Sequence, residues 1–375
     1  MAATLAAIQK RTGSFIGAFI VEKRSYNGYY IIDEFTNTNS GNGMWTFAKK
    51  TGKVYFLKEF LKPVFPMDKS IFSEKTYKEK IDACENFEKQ KRKFYQKIND
   101  ASDGNIARIQ SFFRQDSKYY ITMEKIYGLN YTPRDVCNLS YEQQMLFCRV
   151  LAHSLMKLHQ AGIIHADIKW DNIVFAKGGE NKTVTVKLID FDNSFIIGQQ
   201  PDSEMVGIDP VYCAPETFKY MSGEPLALDF RIDIYALGII FHQIFTGCIP
   251  TTENISVKDG SHSYIFEGLL RGDKIKLDAR LPEFVETLIR DMLKLVPYER
   301  PSAQMVFERL CNPQVIEHHN DDTESYKREE SETKEERDEE VKEDDEETLR
   351  KLWIDQHKAV KENGKWFSVP GDLNR

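Results

Sequence analysis

Apolar and polar positions along the chain change period several times, and these changes divide it into stretches. Tyr29 to Phe35, Trp45 to Ala48 and Val54 to Phe60 are short, β-prone apolar runs. They are separated by Thr38-Asn39-Ser40-Gly41-Asn42-Gly43 and by the turn Thr51-Gly52, which predicts strands joined by hairpins. Phe15 to Val21 predicts a further short strand. Residues 70–98 are heavily charged but align Ile81, Cys84, Glu88, Tyr95 and Ile98 on one face at helical spacing. Asn105 to Phe113 and Tyr119 to Met123 predict two more strands. Tyr141 to Ala161 is helical in period, with Leu146, Val150, Leu151, Leu155 and Leu158 on its apolar face and Gly162 ending it. A hairpin through Gly178-Gly179-Glu180-Asn181 then leads into a strand that stops at Asp190.

Composition narrows the class. At 375 residues, with 41% hydrophobic and 12% aromatic residues, the chain is long enough for two lobes or domains with real cores. No apolar run approaches the ~18–20 residues of a membrane helix, and Met1 to Ile8 has no basic leader before a long apolar core, so no secretory signal is expected. Cys84, Cys137, Cys148, Cys213, Cys248 and Cys311 are scattered without a C-x-x-C pair. They read as free thiols of a reducing, cytoplasmic compartment. The net charge of −7 hides an asymmetry, because Asp321 to Glu347 alone carries −11 and leaves +4 for the rest. There is no basic stripe with interleaved aromatics, which argues against nucleic-acid binding.

The densest chemistry lies between Ile164 and Phe175, where His165, Asp167, Lys169 and Asn172 fall within eight residues flanked by apolar ones. A carboxylate that can receive a proton, an ammonium that can hold an anion and an amide oxygen that can hold a metal are the parts phosphoryl transfer needs. The spacing resembles the protein-kinase catalytic loop. Asp190-Phe191-Asp192 resembles the kinase D-F-G with its glycine replaced, and Tyr55-Phe56-Leu57-Lys58 resembles the strand motif V-A-I-K. Ala214-Pro215-Glu216 matches A-P-E, Arg231 to Gly238 resembles the opening of the kinase F-helix, and Pro297 to Pro301 resembles the late segment whose arginine pairs with the A-P-E glutamate. Together they make residues of about 28–312 resemble a eukaryotic-type serine/threonine protein kinase.

The resemblance implies an α+β, two-lobed kinase fold. Its parts would be an N-terminal extension (1–27), a β-rich N-lobe (28–124), a helical C-lobe (125–312) and an acidic tail (313–375). It implies ATP and Mg²⁺ as co-substrate and cofactor, and protein as substrate. Asp167 and Lys169 would be catalytic, and Asn172 and Asp190 would hold metal. Lys58 would hold the α- and β-phosphates, oriented by a helix glutamate, for which Glu88 is chosen over its rival Glu85. Gly43 is the one glycine retained of the phosphate loop, whose other two positions are Thr38 and Ser40. Glu124 and Ile126 would meet adenine through their backbone, with Met123 as gatekeeper. Asp233 would brace the catalytic loop, and Glu216 would pair with Arg300.

Four departures stand out. Ala166 replaces the arginine before the catalytic aspartate, so an activation-segment phosphate has no cation there and Ser194 and Ser203 are not expected to act as switches. Asp192 replaces a glycine, which should stiffen its turn. Asp209 stands where threonine is usual beside the base, and the glycine-rich loop has lost two glycines. The five catalytic positions are intact, which favours an active kinase over the alternative, a pseudokinase scaffold that binds nucleotide or partner. A small-molecule kinase is disfavoured by Glu216, Asp233 and Arg300, and tyrosine specificity by Lys169. Asp321 to Glu347 is expected to be solvated, or to contact the kinase body or a basic partner with Trp353 and Trp366 as apolar anchors.

Overall fold

The computed structural model describes residues 24–37, 43–178, 183–254 and 264–312. The expected strand at Phe15 to Val21, the loop positions Thr38 and Ser40, the hairpin tip at 179–182 and the acidic tail lie outside the described residues. The chain divides into two units, Met1–Pro313 and Gln314–Arg375; all that follows concerns the first.

The unit begins with β1 (Ser25–Tyr26), β2 (Tyr29–Ile31), β3 (Gly43–Lys50) and β4 (Lys53–Phe60). The two-residue turn between β3 and β4 places both Thr51 and Gly52 at positive φ, the conformation that matches strand twist in a tight hairpin. Next come α1 (Glu74–Ala101), β5 (Ile109–Gln115) and β6 (Lys118–Glu124). Six antiparallel strands form one sheet in the order β1-β2-β3-β4-β6-β5. The sheet therefore takes in Ser25 and Tyr26, just ahead of the expected lobe start at 28.

The period of two along β4 sorts its side chains between faces. Tyr55 and Leu57 join Tyr29, Ala48 and Tyr120 in a small apolar cluster. Phe56 and Lys58 point the other way, into a cleft. α1 starts at the N-cap Ser73, whose side chain accepts from Thr76 N, and it buries Cys84, Phe94, Tyr95 and Ile98.

The larger, mostly helical part follows: β7 (Gly128–Leu129), α2 (Pro133–Val136), α3 (Tyr141–Gln160), β8 (Ile163–Ile164), β9 (Ile173–Gly178), β10 (Thr183–Leu188) and β11 (Phe195–Ile196). It closes with α4 (Pro215–Met221), α5 (Arg231–Thr246), β12 (Thr251–Thr252), α6 (Ile265–Leu270), β13 (Ile275–Lys276), α7 (Glu283–Met292) and α8 (Ala303–Cys311). α3 spans the length its periodicity predicts, and Gly162 follows it at φ +75°. α5 is buried over almost all of its length, which makes it the central helix around which the others pack.

Two features tie the parts together where the chemistry lies. The end of β10 is held against the approach to β5: Leu188 N donates to Asn105 O at 2.8 Å and Ala107 N to Leu188 O at 2.9 Å. Lys97 on α1 reaches Ala161 O at 3.2 Å. No helix among the described residues is long and apolar enough to cross a membrane.

Candidate active site

Between the sheet and the helical part lies a cleft of about 470 Å³. Trp45, Phe47, Phe56, Met123 and Val174 give it apolar walls, and Lys58, Lys169, Asn172, Asp190, Asp192 and Asp209 give it charge and polarity. Trp45 stacks on Phe56 with ring centroids 5.4 Å apart. The backbone of the strand-to-loop segment is registered by Lys125 N donating to Val54 O at 2.9 Å. Glu124 and Ile126 both line the cleft there. The Glu124 carboxylate itself turns to Lys53 at 3.1 Å, at the surface. Gly43 sits at the start of β3, and a Cβ there would come within 2.8 Å of Lys58 Cε and 2.6 Å of Glu59 O. Only glycine lets that strand pass so close to the lysine.

The loop from His165 to Asn172 is pinned from below. Asp233, on the first turn of α5 and 1% exposed, accepts from the N–H groups of His165 and Ala166, each at 2.8 Å, and from His159 Nε2 at 3.0 Å. Ala166 is held at φ +61°, a conformation that L-residues with a Cβ adopt only under constraint. His165 Nδ1 accepts from Asp167 N at 3.3 Å, and its Nε2 donates to Ile189 O at 3.2 Å. That pattern fixes a neutral ring, and burial pulls its pKa below the ordinary histidine value.

Asp167 is buried, and its Oδ2 accepts from Lys169 Nζ at 2.9 Å, Asn172 Nδ2 at 3.0 Å and Asn193 Nδ2 at 3.3 Å. Asn172 Nδ2 also donates to Asp167 O at 2.8 Å. With its amide nitrogen so committed, Asn172 has its side-chain oxygen left for a cation. Asp190 lines the same cleft and is held at φ +64°. Lys169, Asn172, Asp190 and Lys58 thus line one cleft, and Asp167 is joined to the first two by hydrogen bonds. Glu216 and Arg300 form the expected buried pair, with contacts of 2.6 and 2.9 Å.

The helix glutamate requires a correction. Glu88 does not reach Lys58: its Oε1 accepts from Arg92 at 2.6 and 3.1 Å. Its rival Glu85 is exposed to solvent. The inward face of α1 runs through Cys84, Phe94, Tyr95 and Ile98, and Glu88 sits on its flank, where an arginine one turn on captures it. Lys58 pairs instead with Asp192. Burial pulls the Lys58 pKa down, and the Asp190 carboxylate opposes that. The expected stiffening at Asp192 takes a different form: the positive φ of this turn falls on Asp190, not on Asp192.

Asn193 is the residue that motif reading missed. It bridges Asp167 and Gly207 O, the latter at 2.8 Å, and so ties the loop after Asp190 to the catalytic loop. Its position three residues past Asp190 is the only signal the chain offers for it.

Comparison with known proteins agrees with this geometry. The family model for the protein kinase domain matches residues 51–310. A hormonally up-regulated neu tumor-associated kinase homolog of Xenopus laevis is 26% identical over 206 residues, 53% of this chain and 28% of its own. A probable myosin light chain kinase of Dictyostelium discoideum is 29% identical over 148 residues, 39% of this chain and 46% of its own. A probable serine/threonine-protein kinase of the same organism is 29% identical over 174 residues, 46% of this chain and 10% of its own. The chain thus spans less than half the length of these relatives. Among solved structures, the Cydia pomonella granulovirus kinase PK-1 superposes with a TM-score of 0.53 at 16% identity, covering 76% of this chain and 94% of that one; that likeness is one of fold.

Proposed function

The chain belongs to the protein kinase family, and on that premise we propose that it transfers the γ-phosphoryl group of ATP to serine and threonine hydroxyls of proteins, itself included, with Mg²⁺. One observation carries the reading: Asp167 is bonded to Lys169 and Asn172, and those two line one cleft with Asp190 and Lys58 beneath an apolar slot. The slot suits a flat purine, and the two lysines suit its phosphates. Asp167 accepts or orients the proton of the attacking hydroxyl. Lys169, 2.9 Å from it, neutralises charge on the transferring group. Asn172 and Asp190 would hold Mg²⁺, a cation that favours few protein oxygens and keeps waters and phosphate oxygens as its other ligands. When bound, it supplies charge neutralisation at the phosphates. Glu124 and Ile126 would meet adenine through their backbone.

We read 28–124 and 125–312 as the two lobes, and 313–375 as a tail with its own role. The six cysteines are all free, which supports a reducing, cytoplasmic setting. The test is incubation with labelled ATP and a basic protein, with and without Mg²⁺, alongside Asp167→Asn and Asp190→Asn. Transfer that needs the cation and is lost in both variants supports the reading. Full activity in Asp167→Asn overturns it.

A pseudokinase scaffold is the second reading, favoured by the absence of a helix carboxylate on Lys58. It predicts nucleotide binding without transfer.

A further inference from the structure

Lys58 is 5% exposed, and a buried ammonium requires a counter-ion. The helix that packs beside it offers none. Glu88 is held by Arg92, and Arg92 is itself anchored, donating to Phe112 O at 3.3 Å and lying 5.3 Å over the Phe112 ring. What α1 brings near Lys58 is another cation, Lys91. Its ammonium lies 5.7–5.8 Å from the centres of the Phe60, Phe94 and Tyr95 rings, and it forms no ion pair among the described residues. Burial and the Lys58 charge together push Lys91 down to about 8. The Lys58 and Lys91 charges therefore oppose one another, and no carboxylate of α1 pairs with either.

The carboxylate that reaches Lys58 comes from the other side of the cleft. Asp192 pairs with it, and Asp192 N donates to Asp190 Oδ1 at 3.3 Å. Because the left-handed backbone falls on Asp190 rather than on Asp192, a side chain at 192 costs no such strain. The position is free to carry chemistry that a glycine cannot.

We propose that Asp192 is the positioning residue for Lys58: its carboxylate holds the ammonium in the phosphate site from the loop after Asp190, in place of a carboxylate on α1. The inference deepens the kinase reading and rests on it for its catalytic consequence. It makes the orientation of the phosphate lysine depend on the same short loop that carries Asp190. It also explains how α1 tolerates a lysine at position 91.

The experiment has two arms. In the first, Lys58 acylation by an amine-reactive ester is followed by mass spectrometry at pH 7.5 without nucleotide, in the full chain and in Asp192→Asn and Asp192→Gly. Loss of the paired carboxylate favours the neutral amine, so acylation rises several-fold; Asp192→Glu keeps the wild-type rate. In the second arm, the KM for ATP rises about tenfold in Asp192→Asn while kcat changes less, the pattern of lost ground-state and transition-state binding together. Adding Lys91→Glu to Asp192→Asn restores much of the affinity. Unchanged acylation in folded Asp192→Asn and Asp192→Gly overturns the proposal. Faster transfer in Asp192→Gly also does so, since the pair would then be a latch. If the wild-type chain transfers no phosphate, the acylation arm still decides the role of Asp192, so the two readings fail separately.

Discussion

Replacing Asp233 should damage both stability and the catalytic loop, because three donors converge on one buried carboxylate. Asp233→Ala strands the N–H groups of His165 and Ala166 and frees the ring of His159. A buried amide left without an acceptor costs about 1–3 kcal/mol, so the two amides cost about 2–6 kcal/mol. Domains are stable by only about 5–15 kcal/mol, so the alanine variant approaches the limit of folding. Asp233→Asn is the better probe. It keeps one side-chain oxygen for one amide but turns an NH₂ donor on the other, a loss of about 1–3 kcal/mol. For a body of this size that is a fall in Tm of roughly 2–12 °C. Urea unfolding at pH 7.5 measures it, and the m-value should stay constant if the folded and unfolded states keep their surfaces. Lys75→Ala serves as the control: the Lys75–Glu79 pair is exposed and 3.9 Å apart, and its loss costs under about 0.5 kcal/mol. Ala166 depends on the same bond for its left-handed backbone, so phosphoryl transfer should fall more steeply than stability. An Asp233→Asn protein with wild-type stability and wild-type transfer would refute this account of how the loop is held.

Three further outcomes are expected. Glu216→Ala leaves Arg300, 2% exposed, without its carboxylate and should destabilise by about 3–5 kcal/mol; Glu216→Ala with Arg300→Met should be markedly more stable than the single variant, by urea midpoint. Asn193→Ala removes one donor from Asp167 and the tie to Gly207, so kcat should drop several-fold with the KM for ATP unchanged, and an altered KM alone would contradict that role. His242 donates from Nδ1 to Cys248 O at 2.7 Å and accepts at Nε2 from Asp278 N at 3.2 Å, and burial lowers its pKa. The unfolded chain therefore takes up protons first as pH falls, and stability should decline below about pH 6.5. His242→Gln should flatten that decline between pH 7.5 and 5.5, and an equal decline in both proteins would contradict the assignment.

The contrast between what could and could not be read in the chain follows from how far each interaction reaches. The placement of Lys58, Asp167, Lys169, Asn172 and Asp190 in and beside the cleft was legible because each lies in or next to a short apolar run that sets its direction. The alternation of β4 alone sends Phe56 and Lys58 to one face. The loop chemistry packed between Ile164 and Phe175 leaves little freedom in where Asp167 and Asn172 can meet. Glu216 and Arg300 were legible for a different reason: each carries a neighbouring proline motif. The helix glutamate failed because it depends on the rotation of α1. One residue of helix turns a side chain by about 100°, so Glu85, Glu88 and Lys91 are separated by a choice that polar sequence does not encode. The decisive signals were the buried Cys84, Phe94, Tyr95 and Ile98, which set the rotation, and Arg92, which captures Glu88 at i+4. Asn193 has no apolar neighbours of its own to announce it, only contacts made after folding.

The same reasoning connects the two departures at Ala166 and Asp192. Ala166 offers no charge to an activation-segment phosphate, so the contacts that the loop after Asp190 makes by itself bear on how it is ordered. The structure supplies such contacts. Ser194 Oγ donates to His165 O at 2.8 Å, Asn193 joins Asp167 to Gly207, and Asp192 joins Lys58. Three consecutive residues thus anchor this loop to His165, Asp167 and Lys58. A hydroxyl already spent on a backbone carbonyl is a poor place for a phosphate, since the added charge would have to leave that half-buried position. The loop is therefore held by its own side chains. Phosphatase treatment should leave transfer intact, and Ser194→Ala should cost about the worth of one hydrogen bond, ~1 kcal/mol, without abolishing it.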